Sequence, residues 1–243
     1  MDERITVCAL DPDAVQRADR LAEQLGALRA DTPGEGLTLT VGRDGVSLTG
    51  FGLSLRGDFT QMLYRITNGR LSHEMLVKMA KTKSEHPLAV DATAGMGEDA
   101  LLLAAAGYEV LLFEQDAVIA ALLRDAMYRA EGHPVLSEVI GRMKLIEGDS
   151  VVLMAEYVNS PDVVYLDPMF PERRKSGLIH KKLQLLQKLE KPCAEEEALL
   201  SAALSVHPKK IIIKRPLKGA FLAGRKPGYS VKGKAIRYDC IVP

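Results

Sequence analysis

The sequence AVDATAGMGEDA, residues 89–100, decides the fold. An apolar run over 88–90 leads into two glycines, and a helical pattern of leucines and alanines follows them. We therefore predict a strand, a tight loop and a helix. Gly95 and Gly97 let the backbone approach a ligand closely and leave free N–H groups at the start of the helix. In an open α/β sheet, a loop at the carboxyl end of a strand is a ligand site.

The acidic residues of this loop indicate the charge of its ligand. With Ala100 as a third small residue, the glycines also fit a dinucleotide fingerprint, but Glu98 and Asp99 would repel a pyrophosphate. A cationic ligand fits better, and S-adenosylmethionine (SAM) carries a sulfonium and an ammonium but no phosphate. The alternative is a plain glycine-rich turn. The predicted cofactor contacts in this stretch are Asp91, Gly95, Gly97, Glu98 and Asp99.

Charge is distributed unevenly along the 243 residues. Lys and Arg number 32, as do Asp and Glu, yet the span 198–238 contains ten basic residues and no acidic one. The three cysteines lack the spacing of a disulfide framework or a zinc site, so we predict no metal. No run approaches the roughly 20 apolar residues of a membrane span, and the first residues do not resemble a signal peptide. We expect a cytoplasmic protein without a membrane partner.

The first 57 residues predict a small α+β unit. A strand over 5–10 precedes a helix over 13–25, and a hairpin joins 37–41 to 46–48. Residues 58–87 predict a linking region with a basic helix, because Leu71, Met75, Leu76 and Met79 recur at helical spacing. Its basic face has two interpretations, a solvated surface or a contribution to substrate binding. Residues 88–243 form the third predicted unit.

The next two strands supply further candidates for cofactor binding. Glu114 ends a strand over 109–113, about twenty residues beyond the loop, where a carboxylate accepts both ribose hydroxyls of an adenosine. The alternative is an acid at the start of the helix over 116–130. Asp149 follows a strand over 143–146 and is placed either to meet the adenine amino group or to cap a helix.

The fourth strand of this sheet, 162–166, ends in the sequence DPMFP, residues 167–171. Asp167 precedes a proline, so a stiff turn presents its carboxylate and a main-chain carbonyl as acceptors beside Phe170. Two acceptors on the hydrogens of a nucleobase amine would direct its lone pair toward an electrophile, and Phe170 could stack the base. Asp167, Pro168 and Phe170 are therefore the predicted catalytic residues. The alternative is a structural proline turn capped by Asp167.

These motifs resemble the class I SAM-dependent methyltransferases, and within them the bacterial small-subunit ribosomal RNA guanine-N2 methyltransferases. The similarity rests on DATAGMG (91–97), Glu114, VVYLDPMFP (163–171) and IKRP (213–216), and is close from about 88 to 216. Glu98 and Gln115 depart from the family pattern, which has basic residues there. The resemblance implies cofactor contacts at Glu98, Asp99, Glu114, Gln115, Asp149, Ser150 and Asp167.

Basic residues near the motif predict an RNA surface. A basic loop follows residue 171, and a fifth strand over 210–213 ends at a Lys-Arg pair, after a helix over 194–206. A closing hairpin over 229–242 places the acid-free span on the catalytic rim. The predicted RNA contacts are Arg173, Arg174, Lys175, Lys214 and Arg215.

We predict a doubly wound α/β fold, with a seven-stranded, mostly parallel class I methyltransferase sheet and a small N-terminal α+β unit. The expected reaction is methyl transfer from SAM to guanine N2 in 16S rRNA, with the rRNA or the small ribosomal subunit as partner. One alternative is another amine, such as adenine N6 in DNA or a protein glutamine. The other is a non-catalytic module that binds rRNA during assembly.

Overall fold

The computed structural model describes residues 5–34, 36–67, 69–168, 185 and 195–243. The first unit is a five-stranded sheet of order β2-β1-β3-β4-β5 whose core includes its own helix and part of a helix of the second unit. Its elements are β1 (Thr6–Ala9), α1 (Val15–Leu25), β2 (Leu28–Ala30), β3 (Thr38–Gly42), β4 (Gly45–Gly50) and β5 (Leu53–Leu55). The predicted first strand, helix and hairpin are present. The short strands β2 and β5 were not predicted from the sequence.

The segment that links the two sheets differs from its prediction. In place of one amphipathic helix over 71–79, the chain forms 3-10 turns at Phe59–Met62 and Arg70–His73 and short helices α2 (Leu63–Ile66) and α3 (Met75–Ala80). The break has a local cause, because Glu74 adopts an extended conformation with φ −63° and ψ 127°. The apolar residues still face the core, where Leu76 and Met79 are buried.

The second sheet has seven strands and carries the predicted loop. In chain order its strands are β6 (Leu88–Asp91), β7 (Glu109–Glu114), β8 (Met143–Glu147), β9 (Val163–Leu166), β10 (Lys210–Pro216), β11 (Tyr229–Lys232) and β12 (Ile236–Ile241). Their spatial order is β11-β12-β10-β9-β6-β7-β8, and β12 alone of the sheet's inner strands runs antiparallel to its neighbours. This order and direction confirm the predicted fold class.

Helices cover both faces of the second sheet. They are α4 (Glu98–Ala105), α5 (Ala117–Glu131), α6 (Leu136–Ile140), α7 (Ser150–Tyr157) and α8 (Glu196–Ser205). Alternate residues of β9 enter opposite layers, since Val163 and Tyr165 pack with α4 and α6 whereas Val164 and Leu166 pack with α7 and α8. The sequence did not predict α6, which has only five residues.

The two sheets share helix α5. Its Val118 and Leu122 belong to the core of the N-terminal sheet, while Leu123 belongs to the core of the larger one. We retain residues 57 and 87 as proposed boundaries of the three units. Across the described residues, no helix combines the length and apolarity needed to cross a membrane.

Candidate active site

The loop after β6 is anchored to the strands on both sides of β6. The N–H of Ala92 donates to the carbonyl of Tyr165 on β9 at 3.1 Å, and the N–H of Ala94 donates to the carbonyl of Phe113 on β7 at 3.0 Å. The N–H of Asp167 in turn donates to Thr93 Oγ1 at 2.7 Å. These bonds hold the carboxyl ends of three parallel strands together. The strand order reverses between β6 and β9, so this is the switch point where open α/β sheets bind ligands.

Both predicted glycines adopt conformations that other residues disfavour. Gly95 has φ +52° and Gly97 has φ +74°, and α4 begins directly after Gly97. At Gly97 the space is also closed, because an added Cβ would lie 2.7 Å from Leu123 Cδ1 and 3.2 Å from Phe59 Cζ. Leu123 is fully buried, and protein cores are close-packed. Glycine is therefore required at position 97 by both the backbone conformation and the packing.

We expect Gly97→Ala to lower the free energy of unfolding by about 2–4 kcal/mol, because backbone strain and overpacking act together. Gly69→Ala is the matched control. Gly69 has the same φ of +74° but nothing within 4 Å of an added Cβ, so strain alone should cost about 1 kcal/mol. Urea unfolding of both variants measures the difference. Equal losses would contradict the packing argument.

Asp91 ends β6 and is buried, and its two carboxylate oxygens differ in their hydrogen bonds. Its Oδ1 accepts from the N–H of Thr93 at 3.1 Å, whereas its buried Oδ2 has no hydrogen-bond partner in the described part of the chain. Burial raises the pKa of Asp91 to about 8, and the nearby carboxylates of Asp99 and Asp167 add to the effect. A buried oxygen without a partner is a suitable acceptor for a cationic ligand.

Glu114 connects the ends of β6 and β7. Its Oε2 accepts from the N–H of Gly95 and its Oε1 from the N–H of Asp116, both at 2.8 Å. Burial raises the pKa of this carboxyl, and these backbone donors oppose the shift. Because each carboxylate oxygen has a further lone pair, Glu114 can fix the glycine loop and still accept hydroxyl groups.

Four side chains form a hydrogen-bonded network beside the loop. Lys214 Nζ, from β10, lies 2.7 Å from Asp99 Oδ2 and 2.9 Å from Asp167 Oδ2. The hydroxyl of Tyr165 donates to the same Asp99 oxygen at 2.6 Å. Burial alone would lower the pKa of Lys214, but the two carboxylates outweigh it and raise that pKa above its usual value. Lys214 is therefore a fixed cation between two anions.

Asp167 is the most solvent-exposed member of this network. Its side chain is 34% exposed, whereas that of Asp99 is 17% exposed. Burial raises the pKa of Asp167, Lys214 opposes this shift and Asp99 reinforces it. Since Oδ2 contacts Lys214 and the N–H is held by Thr93, the carboxylate has a fixed orientation. Pro168, which follows it, is buried.

Comparison with known proteins places this chain in a family. A family model for SAM-dependent methyltransferases matches residues 21–243. The chain belongs to this family. It is 39% identical to "Ribosomal RNA small subunit methyltransferase J" of Pseudomonas aeruginosa, over 97% of this chain and 94% of the relative, and 36% identical to the protein of that name in Thioalkalivibrio sulfidiphilus, over 99% and 98%. A crystal structure of a SAM-dependent methyltransferase from Neisseria gonorrhoeae matches with a TM-score of 0.72 at 29% identity, over 98% of this chain and 96% of the other.

The site of this methyltransferase suits SAM by charge. Two carboxylates, Asp99 and Asp167, share Lys214, so this pair and the lysine carry a net negative charge that favours a sulfonium and an ammonium. Within the described residues, Asp91 Oδ2 has no hydrogen-bond partner, so this oxygen can accept a hydrogen bond from a ligand ammonium.

The other predicted cofactor residues of the methyltransferase differ in their exposure to solvent. Glu98, Gln115 and Asp149 are exposed, and Ser150 is buried. Asp149 Oδ1 accepts from the N–H of Val151 at 2.8 Å, so the capping interpretation is correct, and the exposed side chain keeps further acceptor capacity. The predicted residues Phe170, Arg173, Arg174 and Lys175 lie outside the described residues.

The structure changes the interpretation of Arg215. This residue was predicted to contact RNA, but its side chain is buried, forms an ion pair with Glu196 at 3.1 Å and donates to the carbonyl of Ala220 at 2.7 Å. We propose a structural role in its place. Arg237, which the sequence analysis missed, donates from Nη1 to the carbonyls of residues 216, 217 and 219 at 2.9–3.0 Å. The two arginines fix the loop that follows Lys214.

Proposed function

We propose that this methyltransferase transfers a methyl group from SAM to the exocyclic N2 of a guanosine in 16S rRNA. The observation that carries the proposal is the position of Asp167, a rigidly held, partly exposed carboxylate at the switch point beside the glycine loop. The names of the relatives, which are small-subunit rRNA methyltransferases, support the choice of substrate. The DPMF sequence at 167–170 supports an amine as the acceptor.

The proposed cofactor contacts follow from the geometry. Asp91 Oδ2 receives the ammonium, and the free lone pairs of Glu114 receive the ribose hydroxyls. Asp149 and Ser150 border the adenine at the end of β8. When bound, SAM supplies an electrophilic methyl group on a positively charged sulfur.

Asp167 acts on the nucleophile. We assign its Oδ1 to the guanine amine, because Oδ2 contacts Lys214. A hydrogen bond from the amine to this oxygen directs the nitrogen lone pair toward the methyl group. As the N–C bond forms and the sulfur leaves with its electron pair, the nitrogen becomes more acidic, and Asp167 accepts its proton or passes it to water. Lys214, held in turn by Asp99, prevents the carboxylate from rotating away.

Two other functions remain to be distinguished by experiment. An enzyme that methylates a different amine would need the same acceptor at 167, so adenine N6 in DNA and protein glutamine are tested beside rRNA. A binding module without turnover would retain RNA affinity but would not need the Asp167 network.

We place the reaction in the cytoplasm, in line with the free, buried thiols of Cys8 and Cys240.

The decisive test is tritium transfer from labelled SAM. Naked 16S rRNA and small ribosomal subunits are prepared from cells that lack the endogenous activity, and the labelled nucleosides are then separated. We expect label in N2-methylguanosine with the native chain and none with Asp167→Ala. Label in another nucleoside would replace the guanine assignment. Absence of label from all RNA, with SAM binding intact, would reject the rRNA proposal.

A further inference from the structure

An exposed aromatic side chain stacks with an arginine next to the active site. Tyr64, on α2, is 63% exposed, and the guanidinium carbon of Arg70 lies 3.8 Å from the centroid of its ring. Arg70 is itself exposed. The pair forms a planar, cationic surface, which is the kind of surface on which unpaired RNA bases stack.

Local contacts hold Tyr64 at the edge of the sheet that carries Asp167. Its neighbour Arg65 forms a two-point ion pair with Glu74, with both N–O distances at 2.8 Å, and this pair ties α2 to α3. The hydrogen bonds that Arg65 donates to Glu74 raise the pKa of Arg65, and the charges of Asp99 and Glu98 at the start of α4 reinforce the effect. Phe59, in the preceding turn, packs against Gly97 in the cofactor loop.

A second basic element meets the same segment. Lys232 and Lys234 flank the turn between β11 and β12, and Ile236 at the start of β12 pairs with Pro216 at the carboxyl end of β10. The turn therefore lies at the catalytic edge. An added Cβ on Gly233 would be 2.7 Å from Met75 Cε, so the turn touches α3. Both lysines are exposed and form no ion pair within the described ranges.

We propose that Tyr64, Arg70, Lys232 and Lys234 form one RNA-binding surface, in which the stacked pair holds an unpaired base and the lysines hold neighbouring phosphates. The inference rests on the proposed rRNA substrate and adds to it, because it names contacts outside the DPMF segment. Charge complementarity supports RNA as the occupant. The turn belongs to the acid-free span 198–238, and Glu74, which directly precedes α3, is neutralised by Arg65.

Matched variants test the stacking element. We expect Tyr64→Ala to raise the KM for the rRNA substrate about 5- to 20-fold, since stacking on one base is lost, and Tyr64→Phe to retain most of the affinity. Tyr128→Ala is the control. Tyr128 is 72% exposed near the end of α5, which runs from the carboxyl edge of the sheet to the opposite edge. The kcat and the Kd for SAM should be unchanged in all three variants.

The lysines are tested by salt dependence. For Lys232→Ala/Lys234→Ala, the slope of log K for RNA binding against log salt should decrease in magnitude by about 2, whereas Lys83→Ala, before β6 at the opposite edge, should leave it unchanged. Filter binding to 16S rRNA is measured whether or not turnover occurs. A native chain that transfers no label overturns the proposed function. If Tyr64→Ala and the double lysine variant bind RNA as tightly as the control variants do, this inference is overturned and the proposed function is not affected.

Discussion

Replacing Asp167 by Ala is expected to lower kcat for methyl transfer by roughly 10³-fold, measured with saturating SAM and rRNA. The variant loses the acceptor that aligns the amine lone pair and the base that takes its proton. Among the described residues, it also leaves Lys214 with Asp99 as its one carboxylate partner. Saturating both substrates separates this effect from any change in affinity.

Asp167→Asn is expected to be nearly as inactive, for a reason specific to this site. The ammonium of Lys214 lies 2.9 Å from Oδ2 and will attract the single oxygen of the amide. The NH₂ group is then turned toward the guanine amine, so a donor faces a donor. In the native enzyme, kcat should fall at low pH because the Asp167 carboxyl, whose pKa burial raises, becomes protonated. This fall in kcat at low pH should be absent in Asp167→Asn. An Asn variant with more than a tenth of native kcat would show that Asp167 does not act on the amine.

Local sequence patterns were sufficient to predict most of the larger sheet. Val163–Leu166 is buried on both faces, as a central parallel strand must be, and the glycine loop marks the strand that begins the nucleotide-binding half. Glu114, Asp149 and Asp167 each end a strand, so the topology alone brings them to one edge. Short or interrupted elements were missed because their patterns are weak, as in the three-residue strand Leu28–Ala30, where Arg29 interrupts the apolar run.

Side-chain partners were beyond the reach of the sequence. Lys214 and Asp99 are 115 residues apart, and only the pairing of β10 with β9 brings them within 2.7 Å. The same limit applies to Arg215. An arginine beside the active site suggested an RNA contact, but its side chain is buried and paired with Glu196, so its role is structural. The basic character of 198–238 was informative only where the structure leaves charges exposed, as at Lys232 and Lys234.

Replacing Asp91 by Asn is expected to weaken SAM binding about 10- to 100-fold, because a charge-assisted hydrogen bond to the ammonium is lost. The amide keeps the acceptor for the N–H of Thr93 and nearly the same volume, so the loop should retain its conformation. Titration calorimetry measures the affinity. In the native protein, SAM binding near pH 7 should release a proton from Asp91, and the heat should therefore depend on the ionisation enthalpy of the buffer. The variant should show neither effect.

The same substitution should alter how stability depends on pH. Burial raises the pKa of Asp91 to about 8 in the folded state, against about 3.9 in the unfolded chain. At a pH between these two pKa values, the folded protein therefore binds one more proton than the unfolded chain. As a result, the contribution of Asp91 to the free energy of unfolding falls by up to about 1.4 kcal/mol per pH unit as the pH rises from about 5 to 8. Relative to Asp91→Asn, the free energy of unfolding of the native chain should fall by about 2–3 kcal/mol between pH 5.5 and 7.5. Urea unfolding without SAM measures this difference. Parallel pH curves for the two proteins would mean that Asp91 is ionised in the free enzyme. The expected difference would instead show that the free enzyme keeps this carboxyl protonated at a cost in stability, and that its ionisation is coupled to the arrival of the ammonium.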